Sequence, residues 1–412
     1  MPESTARLPC LTQSMCAVFA IRLTVARTTS EASPASFGNP APTPQNAGVA
    51  SIDAQILIVG QGLAGTLLAY ALRARGVRVM VIDDGHRHCA SMVAAGLVNP
   101  LAGIRFNHAP QTAAWLASAE HTWRTFEHAL GIIIWHPLPM LRLFRSAEQV
   151  RFWERRRSHG PDPYAGARLD PHALPPTLRA PHGGFLQSQT GFVDLPTLLA
   201  HAREDLRAKG AFVQRAVSAK DISFAGTDSA NTTDMRVGIA DLRGQHLVLC
   251  TGAMMKTLPW FEGLPLQPEK GEIIDIESPA RLTREIVNAA HWLIPHSRSH
   301  YRFGATHSHT FTDGLPTEAG RKALQDGLTG LINDADTVRI TRHTAGIRPS
   351  TRDRAPLLGT HPRHRTLHVF NGFGGRGCLK IPWYAERFAD YLIGKAVLPP
   401  EADIRRLEKA HG

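Results

Sequence analysis

One segment limits the fold of this chain more than any other. From Gln55 the sequence runs QILIVG, then GLAGTLLAYALRARG, then VRVMVIDD up to Asp84. A stretch that is apolar at every position suits a parallel strand covered on both faces. The second stretch has helical spacing and is closed by Gly76. Strand, tight turn, helix and strand within about thirty residues make a βαβ unit. Gly60, Gly62 and Gly65 fill the turn as G-x-G-x-x-G. In this setting each glycine has a job: Gly60 for the tight turn, Gly62 for close approach of a pyrophosphate, Gly65 for helix–strand packing. The helix start offers free N–H groups and partial positive charge to a diphosphate. Leu63 and Ala64 lie at that start. Asp83 ends the second strand beside Asp84, placed to accept both ribose hydroxyls of an adenosine. An acid here disfavours NADP, and it leaves NAD and FAD equal.

The rest of the composition excludes more than it selects. The chain has 412 residues, 43% hydrophobic and 20% charged, a soluble globular balance. No run reaches the roughly 18 apolar residues of a spanning helix. The formal charge is +11, and only eight of the 46 basic residues are lysine. A positive field favours an anionic partner: a carboxylate, a dinucleotide or a nucleic-acid backbone. Arg155, Arg156 and Arg157 form the densest run and read as a solvated helix end. Five cysteines (Cys10, Cys16, Cys89, Cys250, Cys378) contain no C-x-x-C, which fits a reducing compartment. The H-x-H pairs His86/His88 and His307/His309 lack the further acids or cysteines of a metal site. No metal is expected.

Residues 1–54 read as a disordered or leader segment, either a transit-like peptide or a misassigned start, ahead of a cytoplasmic product. Further helices are expected over TAAWLASAEHTWRTFEHALG, with Trp115, Ala119, Trp123 and Phe126 on one side, over LPTLLAHAREDLRAKGA, and over IPWYAERFADYLIG. Strands are expected at MLRLFRS, AFVQRAV, HLVLCTGA, HYRFGATHSHTF and LHVFN. No internal repeat is present.

Five blocks in order resemble the D-amino-acid oxidase family of FAD enzymes, which includes glycine oxidase, sarcosine oxidase and the oxidase half of a bifunctional tRNA wobble-uridine modification enzyme. They are ASMVAAGLVNPLAG, GFVDLPTLLAHA, LVLCTGA, GIRPSTRDRAPLLG and NGFGGRGCLKIPW. Arg352-Asp353 with Pro356, ahead of Gly372 to Gly377, is similar to the last of these relatives. The resemblance runs from Gln55 to Gly394. It implies an α/β fold: an FAD-binding Rossmann-type (glutathione-reductase-like) domain with an interleaved α+β substrate domain. The expected FAD-binding segments are 55–104, 190–258 and 340–396. The substrate domain takes 105–189 and 259–339, and 397–412 is a tail.

The resemblance also implies site residues. Ser91, Thr251 and Gly252 are placed near FAD, Ser91 alternatively as a polar turn residue. Val217 presents its backbone to the adenine or simply packs its strand. Gly374, Gly375, Arg376 and Gly377 approach the flavin, with Arg376 adding positive charge there or binding substrate. Arg348, in Gly346-Ile347-Arg348-Pro349, clamps a substrate carboxylate or makes a structural salt bridge; a planar guanidinium matches two oxygens at once. Tyr301 either bonds substrate or belongs to the core. Leu379 stands where sarcosine oxidase has a lysine, and Lys380 is one place on. The implied activity is FAD-dependent oxidation of the C–N bond of a primary or secondary amine, an amino acid or N-substituted glycine. Dioxygen or another acceptor reoxidises the flavin, with dioxygen giving peroxide. Two alternatives are a tRNA-directed oxidase acting on a carboxymethylaminomethyl-uridine and a non-catalytic flavin- or NAD-binding protein.

Overall fold

The four apolar residues of the run that opens the βαβ unit, Ile56 to Val59, are all buried, and the reason is the layering around them. Ile56 and Ile58 pack with Leu67, Leu68 and Leu72 of the following helix. Leu57 and Val59 pack on the opposite face with Leu247, Leu249 and Val237. A computed structural model describes residues 52–85, 89–158, 160, 162–225 and 236–411. The expectations for residues 1–51, Cys10, Cys16, His86 and His88 lie outside the described residues.

The first sheet carries five parallel strands in the spatial order Phe212–Gln214, Val79–Asp83, Ile52–Val59, Leu242–Leu249 and Leu367–Asn371. Ile58 is in register with Val81 on one side and Val248 on the other. The strand Leu242–Leu249 also pairs antiparallel with Arg236–Ile239 through its first half, so the sheet forks there. Helices Leu63–Ala74, Thr112–Leu130, Leu195–Ala208 and Gly377–Leu392 cover one face. The stripe expected on the second of these is fully used: Trp115, Ala119, Trp123 and Phe126 are all buried. Gly131, at φ +65°, ends that helix, and Asp194 caps the next through Thr197 N at 3.2 Å.

The second sheet is largely antiparallel. Its central path runs Arg339–Arg348, Glu269–Glu277, His300–Gly304 and Trp292–Pro295. Ile286–Asn288, Met140–Leu143, Gly184–Gln187 and Ala165–Leu169 continue it. Helix Glu318–Leu331 packs on one face around Leu324, Leu328 and Leu331. A three-stranded sheet of Leu97–Val98, Gly191–Val193 and Trp135–Pro137 completes the strands named here.

Several boundaries move. The strand Ile52–Val59 begins inside the expected leader. Residues 340–348 pair with Glu269–Glu277, so strand pairing puts them in the second sheet and not with the nucleotide half. Helix Thr112–Leu130, expected in the substrate domain, packs in the core of the first sheet's helices. The expected tail is built in: Leu398, Ala402 and Ile404 are buried, and Leu358 N donates to Ala402 O at 2.9 Å. The last long helix starts at Gly377, four residues ahead of Ile381, with Pro382 inside it. Sequence favours a start at the proline, because a missing N–H costs least in the first turn. Strand HYRFG stops at Gly304, and the following chain turns across Glu269–Glu277 through Ser308 and Lys270.

Candidate active site

Five parallel strands end on one edge, and their C-terminal ends open into a single cavity of about 470 Å3. Gly60, Asp83, Arg215, Thr251 and Asn371 follow or close those strands and line it. Ligands of open α/β sheets bind at this edge because the loops there are free to diverge. The second sheet supplies the other wall through Gly271, Ile273, Trp292, Ile347 and Arg348.

The glycine turn has the geometry its spacing demands. Gly60 has φ +101°, and a Cβ there would stand 2.5 Å from Cys250 O. A Cβ on Gly65 would stand 1.9 Å from Gly60 O, so helix and strand touch backbone to backbone. Gly62 is different: its nearest neighbours are Cys89 Sγ at 3.5 Å and Ser91 Oγ at 3.6 Å, and it lines the cavity. Leu63 and Ala64 line it too. Ser91 lines the cavity while its hydroxyl accepts from Leu63 N at 3.1 Å, tying the second glycine-rich loop to the helix start.

Asp83 is held by protein before any ligand arrives. One oxygen accepts from Gln61 N at 2.8 Å; the other accepts from Gly85 N at 2.9 Å and Arg203 Nη2 at 2.8 Å. Arg203 also donates to Gln61 Oε1 at 2.6 Å and lies over the Phe212 ring. Asp83 also lines the cavity at the end of its strand. Arg203 was not foreseen. It sits in mid-helix, 120 residues from Asp83, and no spacing rule joins the two. Asp84, Val217, Arg215 and Ala216 line the cavity beside it.

Thr251, Gly252, Gly374, Gly375 and Gly377 line the cavity as well. Asn371 Nδ2 holds the turn at Gly252 O, at 2.9 Å. Thr251 Oγ1 is buried with no partner among the described residues. That orphaned hydroxyl and the open floor at Gly62 fit a bound dinucleotide. Two helices, Leu63–Ala74 and Gly377–Leu392, begin on the cavity wall, and each brings amide N–H groups and a positive dipole end. Cys89, Cys250 and Cys378 also line it. Burial raises all three thiols, Cys378 to about 12, so no thiolate stands there at neutral pH.

Arg348 lines the cavity with its guanidinium laid over Gly271, whose missing Cβ makes the space. Nη1 is 3.7 Å from Glu269 Oε2 and 3.4 Å from Thr306 O; Nε and Nη2 donate to no group among the described residues. Burial lowers its pKa and Glu269 raises it.

Two expected residues are corrected. Tyr301 does not reach the cavity. It is 1% exposed in the core of the second sheet, accepting from Leu282 N at 2.9 Å and donating to Arg298 O at 3.1 Å. Its position faces helix Glu318–Leu331, because alternation along the strand sends its neighbours to the other side. Arg376 is also turned away. Its Nη2 donates to Asn99 O and Pro100 O, both at 3.1 Å, so its charge braces the 90–103 loop. Lys380 lies over Trp115 at 5.0 Å, and burial lowers its pKa to about 8. His307 and His309 bond Glu269 and Pro268 O.

The comparisons with known proteins agree with this arrangement. Residues 55–391 match the family described as FAD dependent oxidoreductase. The chain is 25% identical over 374 residues to a glycine oxidase of Pseudomonas aeruginosa, covering 83% of this chain and 95% of that protein. It is 23% identical over 376 residues to a tRNA 5-methylaminomethyl-2-thiouridine biosynthesis bifunctional protein of Idiomarina loihiensis, covering 85% of this chain and 58% of that one. The solved glycine oxidase of Geobacillus kaustophilus shares the fold with a TM-score of 0.71 at 23% identity, covering 84% of this chain and 96% of its own. An iminodiacetate oxidase of Chelativorans sp. shares it at 0.67 and 21%, covering 84% and 98%. Among the described residues, no helix is long and apolar enough to cross a membrane. The choice between NAD and FAD is thereby settled: the chain belongs to the DAO family of FAD dependent oxidoreductases, an enzyme of the amine- and amino-acid-oxidising kind.

Proposed function

We propose that this enzyme oxidises the C–N bond of a primary or secondary amine that carries a carboxylate, an amino acid or an N-substituted glycine. The observation that carries the reading is Arg348, a partly buried guanidinium on the wall of the FAD cavity with two nitrogens that donate to no group among the described residues. FAD would supply the acceptor of a hydride, which carries both electrons of the oxidation. Gly60, Gly62, Leu63 and Ala64 would cradle its diphosphate, Gly65 serving them by packing helix against strand and not lining the cavity, Asp83 would take the ribose, and Asp84 and Val217 would flank the adenine end. Ser91, Thr251, Gly252, Gly374, Gly375 and Gly377 surround the remainder.

In this reading Arg348 binds the substrate carboxylate through the Nε and Nη2 edge and so fixes where the α-carbon lies. Holding a substrate in one orientation turns an encounter into a near-unimolecular step. Trp292 and Ile273 close the wall beside Arg348 and exclude water from the reacting carbon. The balance is amine, water and dioxygen to carbonyl compound, released amine or ammonia, and hydrogen peroxide. No general acid or paired carboxylates are required of the protein, since the bond-breaking electrons leave as hydride.

The test is a panel of amines mixed anaerobically with the yellow protein, scored by flavin bleaching. Carboxylate-bearing amines bleach it in wild type, and Arg348→Ala raises the concentration required by about tenfold or more, the worth of one charge-assisted hydrogen bond. Equal bleaching by the variant removes the clamp.

A second reading, a tRNA-directed oxidase, is favoured by the charge of +11 and by one surface feature. Arg105 and Arg155 both lie over the Phe152 ring, a pairing of cation and aromatic that suits nucleic acid. A steep fall of tRNA affinity with salt supports it, and salt-independent or absent binding ends it.

A further inference from the structure

Arg348 does not stand alone on the cavity wall. Glu269 is its direct partner across the paired strands. It shares a strand face with Gly271 and Ile273, which line the cavity. Glu269 is itself held in place. Its Oε1 lies 2.6 Å from His307 Nδ1, and its Oε2 accepts from Ser350 Oγ at 3.3 Å. A carboxylate only accepts, so Nδ1 of His307 carries the proton. The 3.5 Å approach of Arg348 Nη1 to that nitrogen is then a contact and not a hydrogen bond. Glu269, Thr306 O and His307 thus gather at the Nη1 end of the fork. The Nε and Nη2 end is left for the cavity.

We propose that Glu269 is the resident counter-ion of Arg348 and a positioning residue. It draws the Nη1 end outward, presents the Nε–Nη2 edge to the substrate, and opposes with its own charge the carboxylate that arrives there. This rests on the reading that Arg348 takes the substrate carboxylate. Glu269 thereby sets how loosely that carboxylate is held, and the enzyme is tuned to amines abundant enough to tolerate a high KM. The physical ground is the range of Coulomb repulsion. Two carboxylates on opposite sides of one guanidinium are close enough to repel through a partly buried medium.

The experiment titrates benzoate and neutral benzamide into the FAD-loaded protein by calorimetry. Glu269→Gln keeps an acceptor oxygen and loses the charge, and it binds benzoate about fivefold tighter, with benzamide unmoved. Its KM for a carboxylate-bearing amine falls in step. Glu269→Asp keeps the charge and stays near wild type, which separates charge from packing. If Arg348→Ala abolishes benzoate binding while Glu269→Gln fails to tighten it, the clamp stands and the counter-ion role is overturned. If Arg348→Ala leaves benzoate binding intact, the clamp falls and the counter-ion role with it. Equal tightening of benzamide by Glu269→Gln also overturns the proposal, because a neutral ligand reports only added space.

Discussion

Replacing Gly271 by alanine separates folding from substrate binding. A Cβ there would stand 2.1 Å from Arg348 Nη2, 2.4 Å from Cζ and 2.5 Å from Nη1. Ordinary contact begins at 3.4 Å, so the guanidinium must withdraw by more than an ångström. The three nearest atoms all belong to the far end of a flexible side chain, which can yield. Alanine in a strand also loses less conformational freedom on folding than glycine, a gain of about 0.5–1 kcal/mol. The two effects offset, and thermal unfolding stays within a few degrees of wild type. Binding does not escape in the same way. Displacing one charge-assisted hydrogen bond to the substrate carboxylate costs about 1.5–3 kcal/mol, which is roughly a 10- to 150-fold rise in KM. The assay is a thermal melt, a flavin-to-protein ratio and steady-state oxidation of a carboxylate-bearing amine on one preparation. A wild-type KM in the folded variant would refute the clamp geometry, and a failure to fold would refute the claim that only a side-chain tip stands in the way.

Three further outcomes follow from the structure. Gly62→Val folds, because its nearest neighbours are side-chain tips at 3.5 and 3.6 Å, but it carries little flavin; a normal yield of released FAD refutes the diphosphate floor. Tyr301→Phe leaves the buried Leu282 N without its acceptor and costs about 1–3 kcal/mol in a urea titration, with KM unchanged; a raised KM would return Tyr301 to the substrate site. His368 is buried against His246 at 2.9 Å, and burial lowers its pKa to about 3. The unfolded chain therefore takes up a proton near pH 6.5 that the folded chain refuses. Stability falls from there towards pH 3, by up to about 1.4 kcal/mol per pH unit from this group. Urea midpoints at pH 7, 6 and 5 should show a shallower slope in His368→Asn, and an equal slope sinks the assignment.

The glycine-turn side of the cavity was legible because its residues are local. Gly60, Gly62, Gly65 and Asp83 lie within one βαβ unit, where strand period and helix start dictate position. The substrate half was legible only in part. Arg348 stood out through its block, yet neither its bed on Gly271 nor its tie to Glu269 shows in a one-dimensional string, since those residues lie on a strand 77–79 positions away. Arg376 and Tyr301 misled for a related reason. Both belong to residue types that bind substrates, and only packing reveals that one spends its donors on Asn99 and Pro100 and the other its hydroxyl on the backbone.

By itself the sequence determined the dinucleotide-type βαβ fold, its glycine turn and the acid at the end of the second strand, because hydrophobic period, glycine and charge act there over a few residues. Tertiary structure decided which arginine faces the cavity, which carboxylate attends it and where each half of the molecule ends. Those outcomes depend on strands paired across long stretches of chain, and pairing is settled by the burial of whole faces and not by any local run.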